Sequence, residues 1–374
     1  MIGEIRKPKI SAAQLMALMT LSRLFILLIF VPNTHESVSG TASLLSVAVG
    51  YFLTVLALVP LDFLLKNNPN QNLYEIARQC SPKVGKAAAA GFYLVCTAIA
   101  SETATQFNLF LTGAVYPRAN KQAVNLIFCA AALYLAFLGL EALSRTSAIM
   151  LFVTVVSLGL LGFGLWKFFD TLNLISPLYD GWSAVIQGSV LYFTQNMELI
   201  AFALLVSYLN QKSARKSFFA YHTAVSVILT AVGLASIIVL GNYGETRSFP
   251  IYTMFVLSGS NVFYRFDYIL IAIWVAVSLI RAALYFMLSA KMLDELSGRR
   301  LGKKGLWAQT AAVVLLSGFS TANIRLFGLI YRFLASGIPV YLLLLLLPLA
   351  LLFLQWKRAN QGGKTGIFQE GERA

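Results

Sequence analysis

An all-α integral membrane protein of about ten transmembrane helices, arranged as two five-helix halves, is the fold class this sequence predicts. Three observations predict it. Of 374 residues, 58% are hydrophobic and only 12% charged, about half the charged share of a soluble domain. The apolar residues fall into stretches of the length a helix needs to cross ~30 Å of hydrocarbon at ~1.5 Å per residue. The stretches also echo one another across the middle of the chain. The third and eighth are long, the fourth and ninth short, and the first and sixth carry polar residues at mid-depth. Five spans per half would reverse the second half in the membrane, the inverted-repeat logic of many secondary transporters.

Taken in order, the spans are expected at about 10–32, 42–65, 87–115, 122–139, 147–169, 183–209, 217–241, 265–291, 306–322 and 333–356. Arg6, Lys7 and Lys9 precede the first, which is too long for a signal-peptide core and has no clear small-residue cleavage site after it. It is expected to be retained. Asp62 and Lys66 pair at the inner end of the second. Glu102, Gln106 and Asn108 give the third a polar face, with Gln106 one turn from Glu102. After the seventh comes the longest outer segment, 242–264, with Phe249-Pro250 and an apolar run that lies on the membrane or folds over the site as a lid. Pro348 is expected to kink the tenth span. Residues 1–360 form one transmembrane domain, and the glycine- and charge-rich tail 361–374 is expected to be disordered.

Charge gives the orientation. With the N-terminus inside, inner segments hold twenty Lys and Arg and outer segments seven, so both termini are expected in the cytoplasm. The net charge of +14 is scattered between apolar spans, which fits a cytoplasmic membrane face better than nucleic acid. Cys80, Cys96 and Cys129 have no metal-ligand spacing, and His35 and His222 stand apart, so neither a metal nor a histidine-based site is expected. No HExxH, GxSxG or nucleophile–base pair suggests an enzyme, and nothing suggests a cofactor.

Four charges remain in the apolar spans: Arg23 in the first, Glu102 in the third, Glu198 in the sixth and Arg281 in the eighth, all near half-depth. A charge at the bilayer centre costs from ~3 kcal/mol upward, so the four are expected to meet and neutralise one another. They make either a network that fixes helix register or a substrate site. The sixth span has Thr194, Gln195, Asn196, Met197 and Glu198 at its middle. Such residues offer the backbone alternatives to its helical hydrogen bonds. Two half-helices with a broken centre are expected there, against a continuous helix with Glu198 paired inside the bundle.

The succession of segments resembles the B subunit of spore germinant receptors, the GerAB-type spore germination permease family. The residues that carry the resemblance are Ile10-Ser11-Ala12-Ala13-Gln14-Leu15, Arg145-Thr146-Ser147, Asn173-Leu174-Ile175-Ser176-Pro177, Glu198, Phe249-Pro250, Arg265-Phe266-Asp267, Trp274 and Arg281. The resemblance implies the amino acid–polyamine–organocation superfamily and a LeuT-like ten-helix fold. It also implies recognition of a germinant, often an amino acid, in a complex with two other receptor subunits in the spore inner membrane. One departure matters. Such folds usually hold the substrate carboxylate on amides freed by a glycine-rich break in the first span, and residues 10–31 contain no Gly or Pro. Arg23 stands where that break would be, either as a guanidinium clamp for the carboxylate or as an occupant of the site that abolishes transport. In sodium-dependent relatives an ion bridges the first and eighth helices, a place Arg281 would take as a fixed cation or as an ion-pair partner.

A substrate site is therefore expected from Ser22, Arg23, Glu102, Gln106, Thr194, Asn196 and Glu198, with Arg281 beside it. Two functions are open: a germinant-sensing receptor subunit that passes a conformational shift to its partners, or a stand-alone proton-coupled amino-acid transporter with Glu198 or Glu102 as proton carrier.

Overall fold

The computed structural model describes residues 10–28, 40–176, 178–179, 181–209, 211–259 and 267–370. The basic start of the chain, the end of the expected first span with His35, and Arg265-Phe266 lie outside these residues. Among the described residues the chain is helix and connecting loop, without strands.

Ser11 starts α1 (Ala12–Leu24) with a capping box: its hydroxyl accepts from the Gln14 amide, and the Gln14 side chain accepts from the Ser11 amide. Directly after Arg23 and Leu24 the helix tightens into a 3-10 turn, Phe25–Leu28. The run 41–67 comprises α2 (Gly40–Ala57) and α3 (Val59–Asn67), with Pro60 in the first turn of α3, where its missing N–H is tolerated. A short amphipathic helix, α4 (Leu73–Cys80), is capped by Asn72 and Glu75, and α5 (Pro82–Phe110) follows.

Asn120 caps α6 (Lys121–Leu165), which takes in both the expected fourth and fifth spans. The two are divided only at Gly139, whose φ of 85° and ψ of 172° leave the helical region in a conformation open to glycine. After α7 (Gly181–Thr194) and α8 (Glu198–Leu205) come α9 (Gln211–Leu240), α10 (Asn242–Glu245), α11 (Pro250–Gly259), α12 (Asp267–Ser297) and α13 (Lys303–Ala322). Next is α14 (Ile324–Ala335), a strongly amphipathic helix where a loop was expected. Then come α15 (Ile338–Val340), a π-helical stretch Tyr341–Leu346, and α16 (Leu347–Glu370). The irregular π turn directly precedes Pro348, which lacks the N–H that a regular ladder would use there. The helix continues through residues 361–370, beyond the expected start of the tail.

Seven helices among the described residues are long and apolar enough to cross a membrane, and α7 with α8, bent by 41° at their junction, is an eighth if taken as one crossing. The expected ten shrinks for two reasons. The described part of the first span, Ala12–Leu27, is too short to qualify, and the fourth and fifth spans form one run. The 41° bend falls at the expected break of the sixth span.

Polarity is inverted relative to a soluble protein. Phe52, Phe152 and Phe163 are exposed on the outer surface, while Ser22, Thr103, Gln106, Asn196 and Glu198 are wholly buried. This is the distribution lipid demands. Small residues allow the closest helix contact: a Cβ on Gly188 of α7 would lie 2.3 Å from Ser46 Oγ of α2, and one on Gly50 would lie 2.8 Å from Tyr192. Ser46 seals the same contact by donating to the Val185 carbonyl at 3.1 Å.

Candidate functional site

The helix break sets the site. Gln195, Asn196 and Met197 leave the helical path between α7 and α8, and Glu198 is the first residue of the new helix. A carboxylate is favoured there by the positive end of the helix dipole. The Gln195 carbonyl accepts from Arg23 Nη1 as well as from the Met197 amide. Arg23 also lies 3.9 Å from Glu198 Oε2 through Nη1, and its Nε has no hydrogen-bond partner.

Arg281, midway along α12, is the strongest partner of Glu198. Its Nη1 donates to Glu198 Oε1 at 2.5 Å and to the Ser22 carbonyl at 3.0 Å, and its Nε donates to Thr103 Oγ1 at 3.1 Å. The Ser22 hydroxyl donates to the same Glu198 oxygen at 3.1 Å. Glu102 of α5 approaches more loosely, 4.0 Å from Arg281 Nη2. The four mid-depth charges thus meet in one buried cluster with no net charge, and Arg281 bridges the first and eighth spans through Ser22. The arrangement offsets part of the desolvation cost that each charge would carry alone.

The other expected residues divide. Asn196 accepts from the Tyr221 hydroxyl through Oδ1, while its Nδ2 is buried without a partner. Gln106 is buried one turn beyond Glu102. Thr194 stands apart from the charges: its hydroxyl returns to the Leu191 carbonyl at 3.3 Å, and its methyl faces Gly337.

Several site residues escaped the sequence reading. Phe25 and Tyr285 place their rings 5.0 and 5.6 Å from the Arg281 guanidinium, within cation–π range. Tyr285, one turn after Arg281, had a spacing signal that its apolar surroundings hid. From Phe25 an aromatic column runs through Trp274 (5.9 Å) and Phe110 (4.5 Å from Trp274) to Tyr252 of α11 (5.5 Å from Phe110). It closes the cluster on that side. His222 is wholly buried and stacks on Tyr51 at 4.4 Å and Phe218 at 5.6 Å. Its Nε2 lies 3.2 Å from the Tyr51 carbonyl. At the far end of α3, the expected Asp62–Lys66 pair (3.4 Å) is joined by Arg215, whose Nε donates to Asp62 at 2.7 Å. Among the described residues no group of His, Cys, Asp and Glu is placed to hold a metal.

With this geometry in hand, comparison with known proteins is informative. The family model described as spore germination protein, the spore permeases, matches residues 9–324. The chain belongs to that family. It is also similar to YfkT of Bacillus subtilis (strain 168), itself provisionally named a spore germination protein, with 24% identity over 277 residues that cover 73% of this chain and 76% of that one. As a spore permease the chain is an integral membrane protein of permease or receptor type, and all four residues of the buried charge cluster fall within the matched region.

Proposed function

We propose that this protein is the membrane-embedded, germinant-binding subunit of a spore germination receptor, and that its ligand is a small zwitterion such as an amino acid. The observation that carries the reading is the buried cluster at the α7–α8 break. Two acids and two guanidiniums meet there, while Arg23 Nε, Asn196 Nδ2 and Glu198 Oε2 lack hydrogen-bond partners. Unpaired buried polar atoms are costly, and a zwitterion supplies both an acceptor and a donor without adding net charge. Its carboxylate meets Arg23, whose guanidinium offers a bidentate fork. Its ammonium meets Glu198, with Glu102, Ser22, Gln106 and Asn196 on the walls. Thr194 belongs to the support of the break rather than to the wall.

The proposed scaffold is the ten-crossing, five-plus-five arrangement, and the packing supports it. α1 packs on α9 and α2 on α7. α5 and α12 pack on each other, α12 on α6, and α5 on α13. Numbering α6 as the fourth and fifth crossings, exchange of the two halves maps this set of neighbours onto itself, as a two-fold pseudo-symmetry requires. Both termini are proposed to face the cytoplasm, with two further receptor subunits bound to the bundle in the spore inner membrane.

A thermal-shift screen of purified protein against the common amino acids tests the ligand. One or a few should raise the melting temperature. Arg23→Lys should weaken the response and Arg23→Ala abolish it, while Arg23→Ala keeps its own cooperative melt. A full response in well-folded Arg23→Ala would overturn the assignment of the carboxylate. Uptake of the labelled ligand by proteoliposomes, driven by a pH gradient, would show a proton-coupled transporter instead of a sensing subunit.

A further inference from the structure

Where α3 meets the start of α9, on the other side of α8 from its polar start, lies a second feature, a cavity of about 310 Å³. That is at the lower end of the ~300–1,000 Å³ typical of small-molecule sites. Its wall is apolar and includes Leu199, Phe202 and Val206, the last just after α8. Its mouth carries Asp62, Lys66 and Arg215, two cations to one acid, and these side chains are between two-fifths and half exposed. Gln71, also at the mouth, has a buried Oε1 with no hydrogen-bond partner. On its flank the cavity reaches Val59 and Phe219, which are 55% and 47% exposed on the outer apolar surface of the bundle. It therefore opens both to the end of the bundle and sideways to lipid.

We propose that this cavity is a binding site for an anionic glycerophospholipid of the surrounding membrane. The phosphate sits against Lys66 and Arg215, a headgroup hydroxyl donates to Gln71 Oε1, and an acyl chain follows the apolar wall along α8. Charge complementarity favours this occupant. A neutral amphiphile leaves the surplus cation uncompensated, and a free anion leaves the apolar wall empty. Basic side chains at a membrane surface strengthen such attraction. The bound chain lies against the half-helix that begins at Glu198, since Leu199 and Phe202 follow it directly. The site is independent of the zwitterion reading, because it rests on the cavity and its charges alone.

The test uses the full-length protein in a non-ionic detergent, titrated separately with phosphatidylglycerol, phosphatidylcholine and inorganic phosphate. Melting temperature and lipid retention in native mass spectrometry are read together. Phosphatidylglycerol should raise the melting temperature by several degrees and remain bound at one lipid per chain, and neither comparator should do so. The double variant Lys66→Gln/Arg215→Gln should lose both effects. Leu65→Trp, which fills the cavity and keeps its charges, should lose lipid retention as well, and so covers failure of the double variant to fold. Equal effects of phosphatidylcholine or of phosphate alone would overturn the proposal, as would undiminished retention in a folded variant.

Discussion

The first and sixth spans solve one problem in two ways. Each must present polar groups at the middle of the bundle, and each interrupts its α-helix to do so. The sixth breaks outright, bending by 41° over Gln195–Met197, and offers a carbonyl, an amide side chain and a helix start. The first keeps its path and only tightens, from α to 3-10 after Leu24. The tightening leaves the Ser22 carbonyl able to accept from Arg281, while the Phe25 amide stays bonded to the Ser22 and Arg23 carbonyls. Its positive charge comes instead from the Arg23 side chain. The first span thus brings its polar contribution through a side chain, and the sixth through a break in its path.

This contrast can be broken most directly at Arg281. Arg281→Ala leaves Glu198 buried with only Arg23, at 3.9 Å and without a hydrogen bond, as a counter-charge, and removal of one partner from a buried pair costs about 3–5 kcal/mol. The expected outcome is the largest fall in melting temperature of any single substitution in the cluster, largely recovered in Arg281→Ala/Glu198→Gln. Additive losses in that double variant would show that the two side chains are energetically independent. Arg23→Ala should cost clearly less, because Arg23 bonds a carbonyl and lies 3.9 Å from Glu198. Equal losses at the two arginines would erase the distinction drawn between the two spans.

The charges themselves were legible in the sequence, because a guanidinium or carboxylate inside an apolar run has few places to go. Their pairing was not. Glu102 and Glu198 both lie at the depth of Arg281, and the choice of Glu198 depends on the rotation of α5 and α8 about their axes. Tyr221, Tyr285 and Trp274 were invisible as site residues because an aromatic ring in an apolar span carries no signal of its direction. His222 looked isolated because Tyr51 and Phe218 meet it only after α2 packs against α9. The ten-span count blurred where Gly139 alone separates two apolar runs, and α14 was missed because its period sits in a short segment between Arg325 and Arg332.

A smaller effect is expected where α7 rests on α2. Gly188→Ala places a methyl against Ser46 and should cost about 1–3 kcal/mol by overpacking. Ser46→Gly should recover part of it in thermal unfolding. No recovery would mean that the sixth span is held by other contacts. The smallest expected effect is electrostatic and lies outside the spans. Burial, aided by the hydrogen bond to Glu295 at 2.7 Å, pushes the Tyr74 phenol up to about 12. The unfolded phenol loses its proton first, so the folded state holds the extra proton and stability falls as pH rises from about 10 to about 12. Tyr74→Phe should flatten that alkaline decline in melting temperature, and an unchanged slope would assign it to other groups.

Gly337 gives the break a mechanical reach. It opens α15 with a φ of 75°, and a Cβ there would lie 2.4 Å from the Thr194 methyl. The last turn of α7 therefore rests directly on the backbone that starts the final crossing, with no side chain between them to absorb a displacement. A rotation of α7 at its broken end would press on that crossing at Gly337. If the proposed zwitterion binds, distances between spin labels on α7 and α16 should change together, and a static α16 would show that this contact does not carry the motion.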